Sequence, residues 1–98
     1  MKYEISALAK EDIQSIWSYS VITWTVDQAD RYLDLIRSEI EHLANFPLSG
    51  KDFGYIHKGY RASKVKSHLI FYKIKNKETL EIVRVLHENM DFLDWMDA

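Results

Sequence analysis

Residues 67–87 read SHLIFYKIKNKETLEIVRVLH, and this stretch decides the fold. In 67–75, His68, Ile70, Tyr72 and Ile74 lie on one side of an extended chain, and Leu69 and Phe71 lie on the other. The polar run 76–79 reads as a tight turn. Beyond it Leu80, Ile82 and Leu86 share one face of a second strand, and Val83 and Val85 share the other. Two apolar strands with so short a link pair antiparallel. A weaker strand over Lys58–Val65 precedes them, again closely connected, and the three make an antiparallel meander.

The last two of these strands are apolar on both faces. An antiparallel sheet covered on one side alternates apolar with polar, so a second cover is expected here. The C-terminal segment can supply part of it through Phe92, Leu93 and Trp95. A bound protein partner is expected to supply the rest, resting on Leu69, Phe71, Val83 and Val85 as well as those three; the alternative is cover by the chain's own tail and loops.

Upstream of the meander the period changes. Lys2–Ile5 alternates as a short strand does, and Ser6 can cap a helix after it. Ile13, Ile16, Trp17, Val21 and Trp24 recur at helical spacing, which predicts a helix from about residue 8 to 23. Glu11 and Asp12 then fall in its first turn, where the helix dipole favours them. Trp17 and Trp24 share a face and read as core.

Thr25-Val-Asp-Gln28 has the form of a capping box. A second helix begins there, with an apolar stripe through Ala29, Tyr32, Leu33, Ile36, Ile40, Leu43 and Ala44. Pro47 ends it. Two amphipathic helices with so short a joint fold back as a hairpin. Residues 47–57 have loop composition, and 88–98 read as a short helical turn or an ordered tail. The predicted architecture is one α+β domain over residues 1–98 in two layers: an N-terminal strand, an antiparallel helical hairpin, and a three-stranded antiparallel meander that completes the sheet.

Composition narrows the function. The chain has no cysteine, which excludes disulfides and thiolate metal sites. The histidines at 42, 57, 68 and 87 lack metal-ligand spacing, so no metal and no cofactor is expected. There is no Gly-rich phosphate loop. No apolar run reaches membrane-spanning length and residues 1–5 lack the apolar run of a signal peptide, so a cytoplasmic protein is expected. The net charge of −2 hides a segregation: residues 51–77 carry eight basic groups and one acidic, whereas both flanks are acidic. Such a block reads either as a patch for an anionic partner or as a solvated strand face.

Arg61 lies on the first meander strand, Arg84 on the last, and His87 ends the last strand. Two guanidiniums and an imidazole at one end of a sheet would suit phosphate binding or acid/base work on a phosphodiester. The simpler reading is that Arg84 pairs with a carboxylate and His87 caps the strand. Lys64 and Lys66, flanking Val65, add positive charge nearby.

Several strings resemble the ParE toxin family, within the wider RelE/ParE toxin superfamily. They are Asp12-Ile13 with Ile16-Trp17-Ser18-Tyr19, Trp24 with Gln28-Ala29 and Tyr32, and Leu43-Ala44 with Pro47 and Gly50. Gly59-Tyr60-Arg61, His68-Leu69-Ile70-Phe71-Tyr72 and Arg84-Val85-Leu86-His87 with Met90-Asp91 continue the series in order along nearly the whole chain. The resemblance implies a RelE-like fold and membership of a type II toxin–antitoxin system. It implies a ParD-like antitoxin that forms a hetero-oligomer with the toxin and lays a C-terminal segment over it. It implies DNA gyrase as the target, inhibited by binding rather than by a covalent reaction, with no sequence-specific nucleic-acid binding by the toxin alone. Arg61, Lys64, Arg84 and His87 are then the expected target-binding residues.

The RelE-like branch, whose members cut mRNA on the ribosome, implies instead that Arg61, Arg84 and His87 are catalytic. The acidic overall charge and the acidic end at Asp91, Asp94 and Asp97 weigh against that branch, since ribosomal RNA favours a strongly basic surface. A third reading is an inactive binding module with the same fold.

Overall fold

The computed structural model describes residues 1–96. The chain runs β1 (Lys2–Ile5), α1 (Ala7–Thr23), α2 (Val26–Asn45), β2 (Lys51–Asp52), β3 (Arg61–Val65), β4 (His68–Ile74), β5 (Thr79–His87) and α3 (Phe92–Met96). The five strands form one sheet in the order β1-β5-β4-β3-β2. The antiparallel meander is β3–β4–β5. β1 lies parallel to β5, which makes the sheet mixed, and β2 is a two-residue edge strand that the sequence does not announce.

Ser6 starts α1. Its hydroxyl accepts from the Ala9 N–H at 3.0 Å and donates to the Val83 carbonyl at 2.8 Å, so the cap also fastens the helix to β5. Because α1 begins at Ala7, Glu11 and Asp12 stand in its second turn, beyond the dipole positions expected of them. Thr25 caps α2 by accepting from the Gln28 N–H at 3.1 Å. Only Trp24 and Thr25 separate the helices. Trp24 has left the helical conformation (φ −125°, ψ −104°) and is 55% exposed, so it is not core. Trp17 is half-buried and spends its indole N–H on Asp30 at 2.9 Å.

The hairpin covers one face of the sheet. Ile16, Ile36, Ile40 and Leu43 pack there on Ile70, Tyr72, Leu80 and Ile82. At one end Tyr72 is fully buried, and its hydroxyl accepts from the Gly50 N–H and donates to the Pro47 carbonyl, both at 2.9 Å. This pins the exit of α2 to β4.

A bulge in β5 changes which residues face which layer. Phe71 pairs with Arg84 but Tyr72 pairs with Ile82, so Val83 is the extra residue. Past it the alternation is reset. Val85, opposite Ile70, joins the helix-side core, and Leu86, opposite Leu69, turns to the second face. Uninterrupted alternation places both on the wrong side; Val85 is buried against the helices and is not on the partner-facing surface.

The second face is covered by the chain itself. Phe53 and Tyr60, from the segment between β2 and β3, pack with Ala62, Phe71 and Leu86, and Ile56, Leu69, Val83 and Phe92 surround them. Phe71 is fully buried, with its ring centre 5.3 Å from Phe53 and 5.0 Å from Phe92. The loop is folded back by the Phe53 N–H on the Tyr60 carbonyl at 2.9 Å. A partner is therefore not needed to cover this face.

Candidate functional site

The strand register separates the three sequence candidates. Arg61 stands opposite Tyr72, and Tyr72 opposite Ile82. Val65 stands opposite His68, and His68 opposite His87. Arg61 and His87 thus occupy opposite ends of the sheet, four strand residues or about 13 Å apart along the strand direction. They do not form one centre.

Each cation also has a structural partner. Arg61 donates to the Gly50 carbonyl at 2.7 Å and, more weakly, to the Leu48 carbonyl at 3.3 Å. Arg84 is 6% exposed and grips Asp12 of α1 through Nε at 2.8 Å and Nη2 at 2.9 Å. Its third arm donates to the Trp95 carbonyl at 2.6 Å, and the Trp95 ring lies 6.0 Å from the guanidinium. The hydrogen bonds to Asp12 push its pKa above the ordinary arginine value, although burial opposes this. This is the carboxylate pairing that the sequence left as an alternative.

The basic block is partly neutralised. Lys64 pairs with Glu88 at 2.8 Å, Lys73 with Glu81 at 3.5 Å and Lys75 with Glu4 at 2.9 Å. Among the described residues, three of its eight cations therefore meet carboxylates from the acidic flanks. Lys64 holds the Glu88 carboxyl below its usual range, and Glu4 raises the Lys75 ammonium. On α2, Glu39 accepts a hydrogen bond from Ser63 of β3.

A groove of about 570 Å³ runs between α1 and the free end of β5. Its lining includes Tyr19, Trp24, Tyr32, His68, His87 and Trp95. His68 and His87 face each other across β4 and β5, with ring centres 5.3 Å apart and planes at 81°. The Tyr32 hydroxyl sits 2.6 Å from His68 Nδ1, and the Asn89 N–H donates to His87 Nδ1 at 3.1 Å. Burial, and then the neighbouring His87, push the His68 pKa below the ordinary imidazole value. Sequence reading missed this pairing because counting outward from the turn, without the bulge, sets His68 opposite Leu86.

Of the expected partner-facing residues, Leu69, Val83 and Phe92 are half-buried, and Leu93 and Trp95 are exposed. Phe71 and Val85 are enclosed.

A helical hairpin laid on a five-stranded mixed sheet, with an aromatic groove beside the hairpin, defines a small α+β protein with a RelE-like fold. A similar backbone occurs in a chain of the chromosomal ParDE TA system from P. aeruginosa, with a TM-score of 0.78 over 89% of this chain and 95% of that one, at 16% identity. The profile of the ParE toxin of type II toxin-antitoxin system, parDE, matches residues 3–92. Toxin ParE1 of Mycobacterium tuberculosis is 36% identical over 90 residues, 92% of each chain. Toxin ParE1 of Caulobacter vibrioides is 37% identical over 89 residues, 91% of each. Toxin ParE of Escherichia coli is 28% identical over 91 residues, 93% of this chain and 88% of its own. The chain belongs to the ParE toxin family of type II toxin–antitoxin systems.

Proposed function

We propose that this toxin acts in the cytoplasm by binding and inhibiting DNA gyrase, and that a ParD-like antitoxin neutralises it in a hetero-oligomer. The family match over nearly the whole chain carries this reading. Its binding-only character is supported by the dispersal of Arg61, Arg84 and His87. RNA cleavage needs a general base, a general acid and a phosphate-holding cation within reach of one phosphodiester. Here Arg84 is spent on Asp12, Arg61 on backbone carbonyls, and His87 lies at the other end of the sheet.

The target surface in this reading uses the accessible parts of Arg61, Lys64 and His87, while Arg84 contributes by holding α1 on β5. The antitoxin rests on Leu93 and Trp95 and on the half-buried Leu69, Val83 and Phe92. It reaches Phe71 only if α3 is lifted, and Val85 belongs to the core.

A supercoiling assay with purified toxin, gyrase, relaxed plasmid and ATP tests the target. Blocked supercoiling, relieved by antitoxin, is the expected result. Unaffected gyrase together with mRNA cleavage on translating ribosomes would replace this reading with the RelE-like one.

A further inference from the structure

β1 is one edge of the sheet and pairs only with β5. The Lys2 N–H donates to the Glu78 carbonyl at 2.8 Å, and the Ser6 N–H donates to the Ile82 carbonyl at 3.0 Å. The even-numbered residues of this strand therefore turn their backbone groups toward β5. Successive residues of a strand alternate in this, as they do in their side chains. The N–H and C=O of Tyr3 and Ile5 thus point out of the sheet and have no backbone partner among the described residues. Along this edge residues 1–4 are exposed and Ile5 is half-buried.

A second copy of this chain fits that edge in one register. The free groups lie at odd positions, so antiparallel self-pairing sets odd residues opposite odd ones. Tyr3 then stands opposite Met1, Tyr3 or Ile5 of the other copy. The first of these sets Lys2 opposite Lys2, and the last sets Glu4 opposite Glu4. Like charges directly opposite disfavour both. Tyr3 opposite Tyr3 sets each Lys2 against the other copy's Glu4, at the positions where facing side chains stand closest. Among the described residues Lys2 forms no salt bridge in its own chain, and Glu4 has Lys75 alone.

We propose that two copies of this chain pair β1 to β1, antiparallel about Tyr3, in a two-fold dimer with one continuous sheet. The two Tyr3 residues exchange two backbone hydrogen bonds, with Cα atoms about 5.5 Å apart. Their side chains meet on the helix side, where Tyr3 borders a cavity of about 280 Å³ lined by Ile5, Ile13, Leu33, Ile36 and Ile40. Each ring covers apolar surface that water meets in the single chain. The contact is isologous and closes on itself, so growth stops at two copies. The other edge of the sheet, β2, has only Lys51 and Asp52 and offers no comparable length. The paired strands are short, so the dimer is weak and depends on concentration. This goes beyond the function proposed above and involves neither gyrase nor antitoxin.

Sedimentation of the full chain from about 10 µM to about 1 mM tests this, with a monomer–dimer midpoint expected inside that range. Lys2→Glu and Glu4→Lys each turn both ion pairs into like-charge pairs and should weaken the dimer at least about tenfold. Mixed in equal amounts, the two variants again set opposite charges against each other at every contact. Dimer should then return to within about threefold of the native chain. Both positions are exposed, so each variant folds. In the native chain, amide exchange at Tyr3 and Ile5 should slow as concentration rises, which needs no variant. A monomer throughout, an undiminished dimer in both variants, or a mixture that stays monomeric would overturn the proposal. Exchange at Tyr3 and Ile5 that slows only when antitoxin is added would also overturn it and give the edge to the antitoxin.

Discussion

Asp12 of α1 and Arg84 of β5, 72 positions apart, meet through two hydrogen bonds of 2.8 and 2.9 Å. The same carboxylate accepts the Val85 N–H at 3.0 Å. It thereby serves as the β-ladder partner that β1 no longer provides, since β1 ends beside Ile82. One acidic side chain holds the helix, the buried guanidinium and the strand edge together.

Removing it should leave the buried Arg84 charge without a counter-ion, held by the Trp95 carbonyl. Asp12→Ala is expected to destabilise the fold by about 3–5 kcal/mol, read as a lower urea midpoint. Asp12→Leu with Arg84→Met, which removes both charges at similar volume, should recover most of that loss. A loss under about 1 kcal/mol in the single variant would mean that the pair is solvated and that Arg84 is free to meet a target.

The cover of the second face is thin, because α3 contributes it mainly through Phe92. Phe92→Ala should uncover Phe71 and Phe53 and cost about 1–3 kcal/mol, with increased binding of an apolar dye. Unchanged dye binding would mean that the 53–60 segment covers the face alone.

The sequence shows this architecture where period and caps agree. Thr25, Gln28 and Pro47 delimit α2, and the alternation in 68–74 sets β4. It fails where one local event shifts a register. The Val83 bulge exchanges Val85 with Leu86 and brings His68 to His87, and no residue type announces it. It fails again at Phe53, an aromatic in loop composition whose role as a lid depends on contacts with distant strands. Trp24 fails for a simpler reason: it lies at helical spacing, but the helix ends one residue before it. Asp12 was legible as a helix residue but not as the partner of Arg84, which needs the sheet position of β5.

Tyr72 ties the end of α2 to β4, and Gly50 makes room for it. A Cβ on Gly50 would lie 2.7 Å from Tyr72 Cε1, so Gly50→Ala is expected to destabilise by more than about 1 kcal/mol. Tyr72→Phe should cost about 1–3 kcal/mol by leaving the buried Gly50 N–H and Pro47 carbonyl unpaired. Burial pushes the Tyr72 pKa above 10.0. A raised phenol pKa contributes stability below the unfolded value, and that contribution is lost as pH rises above about 10. The Phe variant should lose this part of the alkaline dependence, measured as melting temperature against pH.

His68 gives the acid-side counterpart. Its pKa is held below the ordinary 6.5 first by burial and then by His87, while Glu88 pulls weakly the other way. A depressed imidazole means that the unfolded chain takes up the proton first. The folded state is therefore favoured above 6.5, and that advantage is lost as pH falls through the lower folded value. Glu88, held low by Lys64, responds only below the ordinary carboxylate value of 4.5 and so leaves this window clear. Melting temperature should therefore fall between about pH 7 and pH 5 in the native chain and fall less in His68→Asn. Parallel curves for the two proteins would show that His68 is not the group responsible and that its ring is solvated in the folded chain.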